Sequence, residues 1–143
     1  MKAKQIDGGT QRTFAVVFDT GDEVLENLDT FTKEQALSAA AFTGLGAFSD
    51  VVLGFFDWQR KDYKRIPIQE QVEVVSLVGN IALKGDEPKL HPHVVVANSE
   101  GRAYGGHLLE AHVRPTLEII VTESPAHLRR RTDEKTGLAL IRL

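Results

Sequence analysis

Short runs of β-branched and aromatic residues, separated by polar clusters, set the first reading of this chain. "TFAVVF" (13–18) lies between a polar start and "DTGDE" and predicts a strand. Val24, Leu25, Leu28 and Phe31 then recur at three- and four-residue spacing, which predicts a helix over 22–35 capped by Thr20 or Asp22. "ALSAAAFTGLGAFSDVVLGFFDW" (36–58) has no helical period and is broken by Gly44, Gly46 and Gly54, so it predicts two strands joined by a tight turn. "QVEVVSLVGNIAL" (71–83), "HVVVAN" (93–98) and "PTLEIIVTE" (115–123) predict further strands, apolar on both faces in places, while "ALKGDEPK" (82–89) predicts an exposed loop. Strands apolar on both faces need cover from helices, a second sheet or a partner subunit. One helix cannot cover so many. The expected fold is therefore α+β: a mostly antiparallel, sandwich-like or barrel-like sheet with one main helix and oligomer contacts. No repeat or linker divides the chain, so residues 1–143 read as a single domain.

Composition narrows the partners. Seventeen Lys and Arg against 20 Asp and Glu leave a net charge of −3, so there is no general attraction for phosphate backbones and any nucleic-acid role needs a local patch. Cysteine is absent, which removes disulfides and thiolate metal sites and fits a reducing cytoplasm. No apolar stretch reaches the length of a signal peptide or membrane span, so a cytoplasmic protein without membrane contact is expected.

The chemistry-bearing stretch is "HPHVVVANSEGRAYGGHLLEAHV" (91–113), with four of the five histidines. On a strand, His91 and His93 point to one face with Cα atoms about 6.6 Å apart, close enough to share an ion. Asn98-Ser99-Glu100-Gly101-Arg102 suits a three-residue hairpin loop, a type I turn followed by a left-handed glycine. Counting outward from an Asn98–Arg102 closure places His107 directly across from His93. By the same parity His112 points the other way, unless Gly105 or Gly106 introduces a bulge. Three neutral imidazoles with an open fourth position form a known zinc arrangement that activates water. The alternative is a set of core histidines bonded to backbone.

Other signals are weaker. "GLGAFS" (44–49) imitates a dinucleotide fingerprint, but Ser49 replaces the third glycine and strand sequence follows, so these glycines let strands turn or approach closely, with an anion-binding nest as the alternative. "HLRRRTDEK" (127–135) reads as a solvated, internally paired surface rather than a phosphate site. Glu73 and Glu118 interrupt apolar strands, either paired with arginine or available for acid–base work.

Three blocks, "TGDEVLENLDTFTKEQALSAAAFTGLGAFSDVVLGFFD", "VEVVSLVGNIAL" and "HPHVVVANSEGRAYGGHLLEAHVRPTLEIIV", occur in an order that resembles the plants and prokaryotes conserved (PPC) domain, in a stand-alone prokaryotic form. The resemblance implies a homotrimer. In plant relatives the domain follows AT-hooks and recruits other factors through a Gly-Arg-Phe-Glu-Ile-Leu motif. Here the matching positions are Glu70, Gln71, Val72, Glu73, Val74 and Val75, of which the glutamate and the aliphatic pair carry over. The family's DNA-binding label makes DNA a possible partner, although no Arg-Gly-Arg-Pro core is present. Zinc-binding members share a three-histidine pattern that carries onto His91, His93 and His107. The fold is also similar to that of acetolactate decarboxylase, a zinc enzyme with a His-X-His pair and a third histidine. Two functions follow as expectations. One is a homotrimeric DNA-binding, regulatory or scaffold module with a zinc site. The other is a zinc-dependent lyase or hydrolase in which a small-molecule ligand takes the fourth position and Glu118 or Glu73 shuttles protons.

Overall fold

The computed structural model describes residues 1–124 and 128–142. Among these, one helix, α1 (Val24–Glu34), accompanies nine strands: β1 (Lys2–Asp7), β2 (Thr13–Phe18), β3 (Ala39–Asp57), β4 (Asp62–Ile68), β5 (Val72–Lys84), β6 (Glu87–Ala97), β7 (Ala103–Glu123), β8 (Arg129–Thr132) and β9 (Ala139–Arg142). β3 pairs with both β5 and β7, and β6 pairs with both β5 and β7, so these four strands form a closed ring. β2 extends the ring from β7 and β1 from β2, while β4 folds back on the outer half of β3. All of these pairs are antiparallel. The β8–β9 hairpin joins β5 through a parallel pairing of β8. The barrel-like, mostly antiparallel expectation holds for this ring of four strands, which the remaining strands extend without joining it.

Strand alternation fills the interior. Phe42, Phe48, Leu53, Leu77, Leu108 and Leu117 are fully buried there, and each such side chain contributes about 1.5–3 kcal/mol by leaving water. α1 closes one side of the core with Val24, Leu28 and Phe31, the last meeting Phe14 edge-on with ring centroids 5.4 Å apart. Its cap is neither Thr20 nor Asp22. The Glu23 carboxylate accepts from the Glu26 N–H at 2.7 Å and, through its other oxygen, from the Ala111 N–H of β7 at 3.1 Å. Asp22 is turned to the N-terminal amine at 2.6 Å, and Thr20 donates to the Pro115 carbonyl. The longer glutamate wins because it ties the helix end to the sheet while capping it.

Residues 36–58 do not form two strands. β3 runs unbroken for 19 residues, with register shifts around Gly44 and Gly46, while Gly54 sits in register opposite His107. A β-carbon at Gly46 would stand 2.3 Å from the Thr116 carbonyl oxygen, so this glycine permits backbone approach, the role expected for "GLGAFS". The 82–89 loop shrinks to Gly85-Asp86, with Gly85 at φ +65° and ladder pairs continuing to Lys84 and Glu87. β1, β4, β8 and β9 have no counterpart in the apolar pattern. β1, β4 and β8 are mainly polar or mixed and β9 is only the four residues Ala-Leu-Ile-Arg, so pairing with neighbours defines them.

Candidate metal centre

The 98–102 hairpin closes as its sequence requires. The Asn98 N–H donates to the Arg102 carbonyl at 3.1 Å, Gly101 donates to the Asn98 carbonyl at 2.8 Å, and Gly101 sits at φ +75°. The Asn98 side-chain oxygen accepts from the N–H groups of Glu100 and Arg102. From that closure the ladder runs Ala97–Ala103, Val96–Tyr104, Val95–Gly105, Val94–Gly106 and His93–His107. Pro92, Val94 and Val96 turn into the core, which leaves His91 and His93 on the outer face with His107 opposite. Ligand-capable nitrogens of His91, His93 and His107 lie within 4.8 Å of one another, and Nε2 of His91 and Nε2 of His93 are 3.2 Å apart. Two nitrogens held at about 2.0–2.1 Å by one tetrahedral zinc stand about 3.3 Å apart, so this pair already has the required spacing.

Neighbouring residues orient the third ring. Tyr63 of β4 stacks on His107 with centroids 4.7 Å apart and planes 27° from parallel. Gly54, paired with His107 across the β3–β7 ladder, makes room for that stack: a β-carbon there would lie 2.8 Å from Tyr63 Cδ1. Gly106 does the same for the backbone, since a β-carbon would come within 2.9 Å of the Gly54 carbonyl oxygen.

The electrostatics favour metal ligation. Burial, reinforced by His91 and His93, pushes the His107 imidazole down to about 4, and burial with the nearby Arg130 and His93 lowers His91. Both rings are therefore neutral near pH 7, the state a metal ligand needs. The His107 Nδ1 is buried without a hydrogen-bond partner. An orphaned imidazole nitrogen in a three-histidine cluster fits a divalent ion, which supplies the missing partner.

His112 is not part of the cluster. A bulge does occur, at Leu109 rather than at Gly105 or Gly106, because Leu53 pairs with Leu108 and Val52 with Glu110. Beyond it Ala111 and Val113 are the buried residues, so His112 returns to the non-core face. There its Nδ1 meets Asp50 Oδ1 at 2.8 Å. That hydrogen bond raises the His112 pKa; at Asp50 burial opposes ionisation, but the bonds from His112 and Ser49 prevail and lower it.

Glu73 and Glu118 are exposed, and neither has an arginine partner among the described residues. Glu118 borders an outer apolar patch of Leu45, Val75, Val78 and Ile120, and Glu73 lines a separate shallow groove beside Asn98. Neither reaches the cavity beside the histidines.

That cavity, about 250 Å³, is lined by His91, His107, Tyr63 and Leu90 together with Arg130, Leu138 and Leu140 from the β8–β9 hairpin. Tyr63, Asn80 and Arg130 are the site residues that sequence reasoning missed. Arg130 is the middle of three arginines. Strand alternation turns it inward to 6% exposure, where its guanidinium donates to Asn80 Oδ1 and to the Ala139 carbonyl. Asn80 is the ladder partner of His91. Arg129 and Arg131 remain exposed, and Asp133 binds Thr136 and Arg142 instead of the arginine run. His127 lies outside the described residues. The alternation of a short strand was the available signal for Arg130; nothing in "RKDYKRIP" distinguishes Tyr63.

Comparison with known proteins places this geometry. A candidate DNA-binding protein of Bacteroides thetaiotaomicron superposes with a TM-score of 0.88 at 26% identity, covering 98% of this chain and 96% of its own. A plant- and prokaryote-conserved protein of Pyrococcus horikoshii gives 0.86 at 34% identity over 92% of each chain. A metal-containing protein of Archaeoglobus fulgidus gives 0.84 at 32% identity over 100% of both. Acetolactate decarboxylase of Bacillus subtilis shares the fold at a TM-score of 0.54 and 12% identity, over 88% of this chain and 58% of its own. Among curated sequences, the bifunctional protein GlmU of Synechococcus is 29% identical over 132 residues; the chain spans 20% of that relative's length and 90% of its own. No helix among the described residues is long and apolar enough to cross a membrane. With the three sequence blocks, the ring of strands and the clustered histidines in place, a family model matches residues 5–125, and the chain belongs to the Plants and Prokaryotes Conserved (PCC) domain family.

Proposed function

We propose that this chain is a self-assembling regulatory or scaffold module whose His91, His93 and His107 hold a divalent ion, with zinc the best match to three imidazoles. The observation that carries this reading is the convergence of three ligand nitrogens within 4.8 Å, one ring keeping a buried nitrogen without a partner. When bound, zinc supplies a Lewis acid and a water of lowered pKa. The chain's own residues present His91 and His107 as neutral imidazoles, orient His107 through Tyr63 and close the hairpin by hydrogen bonds. A homotrimer is supported by the outer apolar patch, where Leu45 is 63% and Val75 53% exposed. Val78 of this patch is the ladder partner of His93, so assembly through it sets the metal at a subunit boundary. A cysteine-free chain suits a cytoplasmic setting.

Metal analysis of purified protein tests the site. About one equivalent of zinc is expected per chain, falling to background in His93→Ala while the fold, read by circular dichroism, persists; equal zinc in both proteins removes the reading.

DNA binding is supported by relatives described as candidate DNA-binding proteins. Against it, the basic groups Arg129, Arg131 and Lys135 are interleaved with Asp133 and Glu134. A second reading, a zinc-dependent lyase or hydrolase, is favoured by the cavity opening beside the histidines. In it Glu118 or Glu73 serves as proton carrier when assembly brings either to the histidines of a neighbouring copy.

A further inference from the structure

Arg130 is a buried cation with no anionic partner among the described residues. It is 6% exposed, its acceptors Asn80 Oδ1 and the Ala139 carbonyl are neutral, and its Nε has no partner among the described residues. A guanidinium stays charged in proteins, and removing one from water without a counter-charge costs several kcal/mol. Proteins keep such a group where a ligand completes it. Arg130 lines the 250 Å³ cavity shared with His91 and His107, and Lys84 and Lys89 stand at the same cavity. Both lysines are exposed; Lys89 also meets Glu87 at 3.7 Å. Among the described residues no carboxylate lines this space. The rest of its wall is Tyr63, Leu90, Leu138, Ala139 and Leu140, which suits a short hydrocarbon body and would be wasted on inorganic phosphate. The volume lies just below the usual range for drug-sized ligands, which fits a metabolite. β8 and β9, which supply Arg130 and the leucines, lie beyond the segment matched by the family model.

We infer that this cavity is a binding site for a small aliphatic carboxylate, its anionic end held by Arg130 under the field of Lys84 and Lys89 and its body against Leu138 and Leu140. The inference rests on the metal reading only for a second anchor at the histidines; the Arg130 contact stands apart from it. Fork-shaped guanidinium–carboxylate pairing gives the head-group its selectivity.

Calorimetric titration of the zinc-loaded protein with isovalerate, isovaleramide and inorganic phosphate tests this. Isovalerate is expected to bind at least about tenfold more tightly than the other two, and Arg130→Gln to weaken it by about tenfold while zinc content is unchanged. Equal affinity for isovalerate and isovaleramide, or isovalerate binding untouched by Arg130→Gln, overturns the inference. If Arg130→Gln does not fold, the decision passes to the exposed pair Lys84→Glu/Lys89→Glu, where a several-fold loss is expected and unchanged affinity overturns it. Zinc-free protein and His93→Ala separate the two readings. Isovalerate binding that survives there and still needs Arg130 upholds the carboxylate site without the metal, whereas zinc binding with no isovalerate binding ends the inference and leaves the metal site intact.

Discussion

Single side chains here do work that their neighbours in sequence do not announce. His112 is the clearest case: of the four histidines in the 91–113 stretch, it alone meets a carboxylate, Asp50, at 2.8 Å. Its folded pKa is raised above the ordinary 6.5, so its stabilising contribution is complete below that value and fades as pH climbs through the folded pKa. Asp50 is lowered, so its share is complete above the ordinary value of 3.8 and is lost as pH falls from there through the folded pKa. Both groups are partly exposed, which limits the pair to about 0.2–1 kcal/mol. Urea denaturation of wild type and His112→Asn at about pH 5.5 and about pH 8.5 reads this directly. The gap between the proteins should be larger at the lower pH, and a gap independent of pH would show that the pair contributes no linked charge.

At the scale of elements, the three-histidine cluster is the product of two hairpins. The 98–102 turn sets the register that puts His107 opposite His93, and the β3–β4 hairpin folds Tyr63 over the His107 ring. Gly54 is where the two meet, since it pairs with His107 and a β-carbon there would come within 2.8 Å of Tyr63 and 3.1 Å of Leu109. Gly54→Val is therefore expected to displace Tyr63, cost about 1–3 kcal/mol through overpacking and weaken zinc binding. Chemical denaturation together with zinc titration checks both effects. Full zinc affinity in a destabilised variant would confine Tyr63 to a packing role. The first turn was legible in sequence because Asn and Gly at fixed positions dictate its geometry. The second hairpin was not: Arg60, Lys61, Asp62 and Lys64 carry no periodicity, and β4 exists only because the outer half of β3 offers it an unpaired edge.

For the whole molecule, the strands form a ring with an apolar interior and a second apolar surface outside it. Leu45, Val75, Val78 and Ile120 lie together on that outer surface, each at least 43% exposed. Contiguous exposed aliphatic side chains of this kind mark a contact surface. Val78→Glu places a charge in the patch without touching the core and should turn a trimer into monomers of unchanged fold, read by light scattering coupled to size-exclusion chromatography. A wild-type protein that runs as a monomer would exclude assembly through this face. A charged variant that remains a trimer would place the interface elsewhere.

Sequence alone determined what depends on neighbours along the chain. The period of apolar positions marks α1, β2 and the inner stretches of β5, β6 and β7, and the Asn98–Arg102 turn carries the ladder arithmetic that brings three histidines together. Tertiary structure decided what depends on contacts between distant segments. The glycines of β3 lie within one strand because another backbone runs against them, and Glu23 caps the helix because Ala111 stands within its reach. The middle arginine of a polar run becomes a buried cation because Asn80 and Ala139 meet it from two other strands. Local rules act through covalent spacing and turn geometry. Close approach, burial and charge pairing arise only when remote parts of the chain share space.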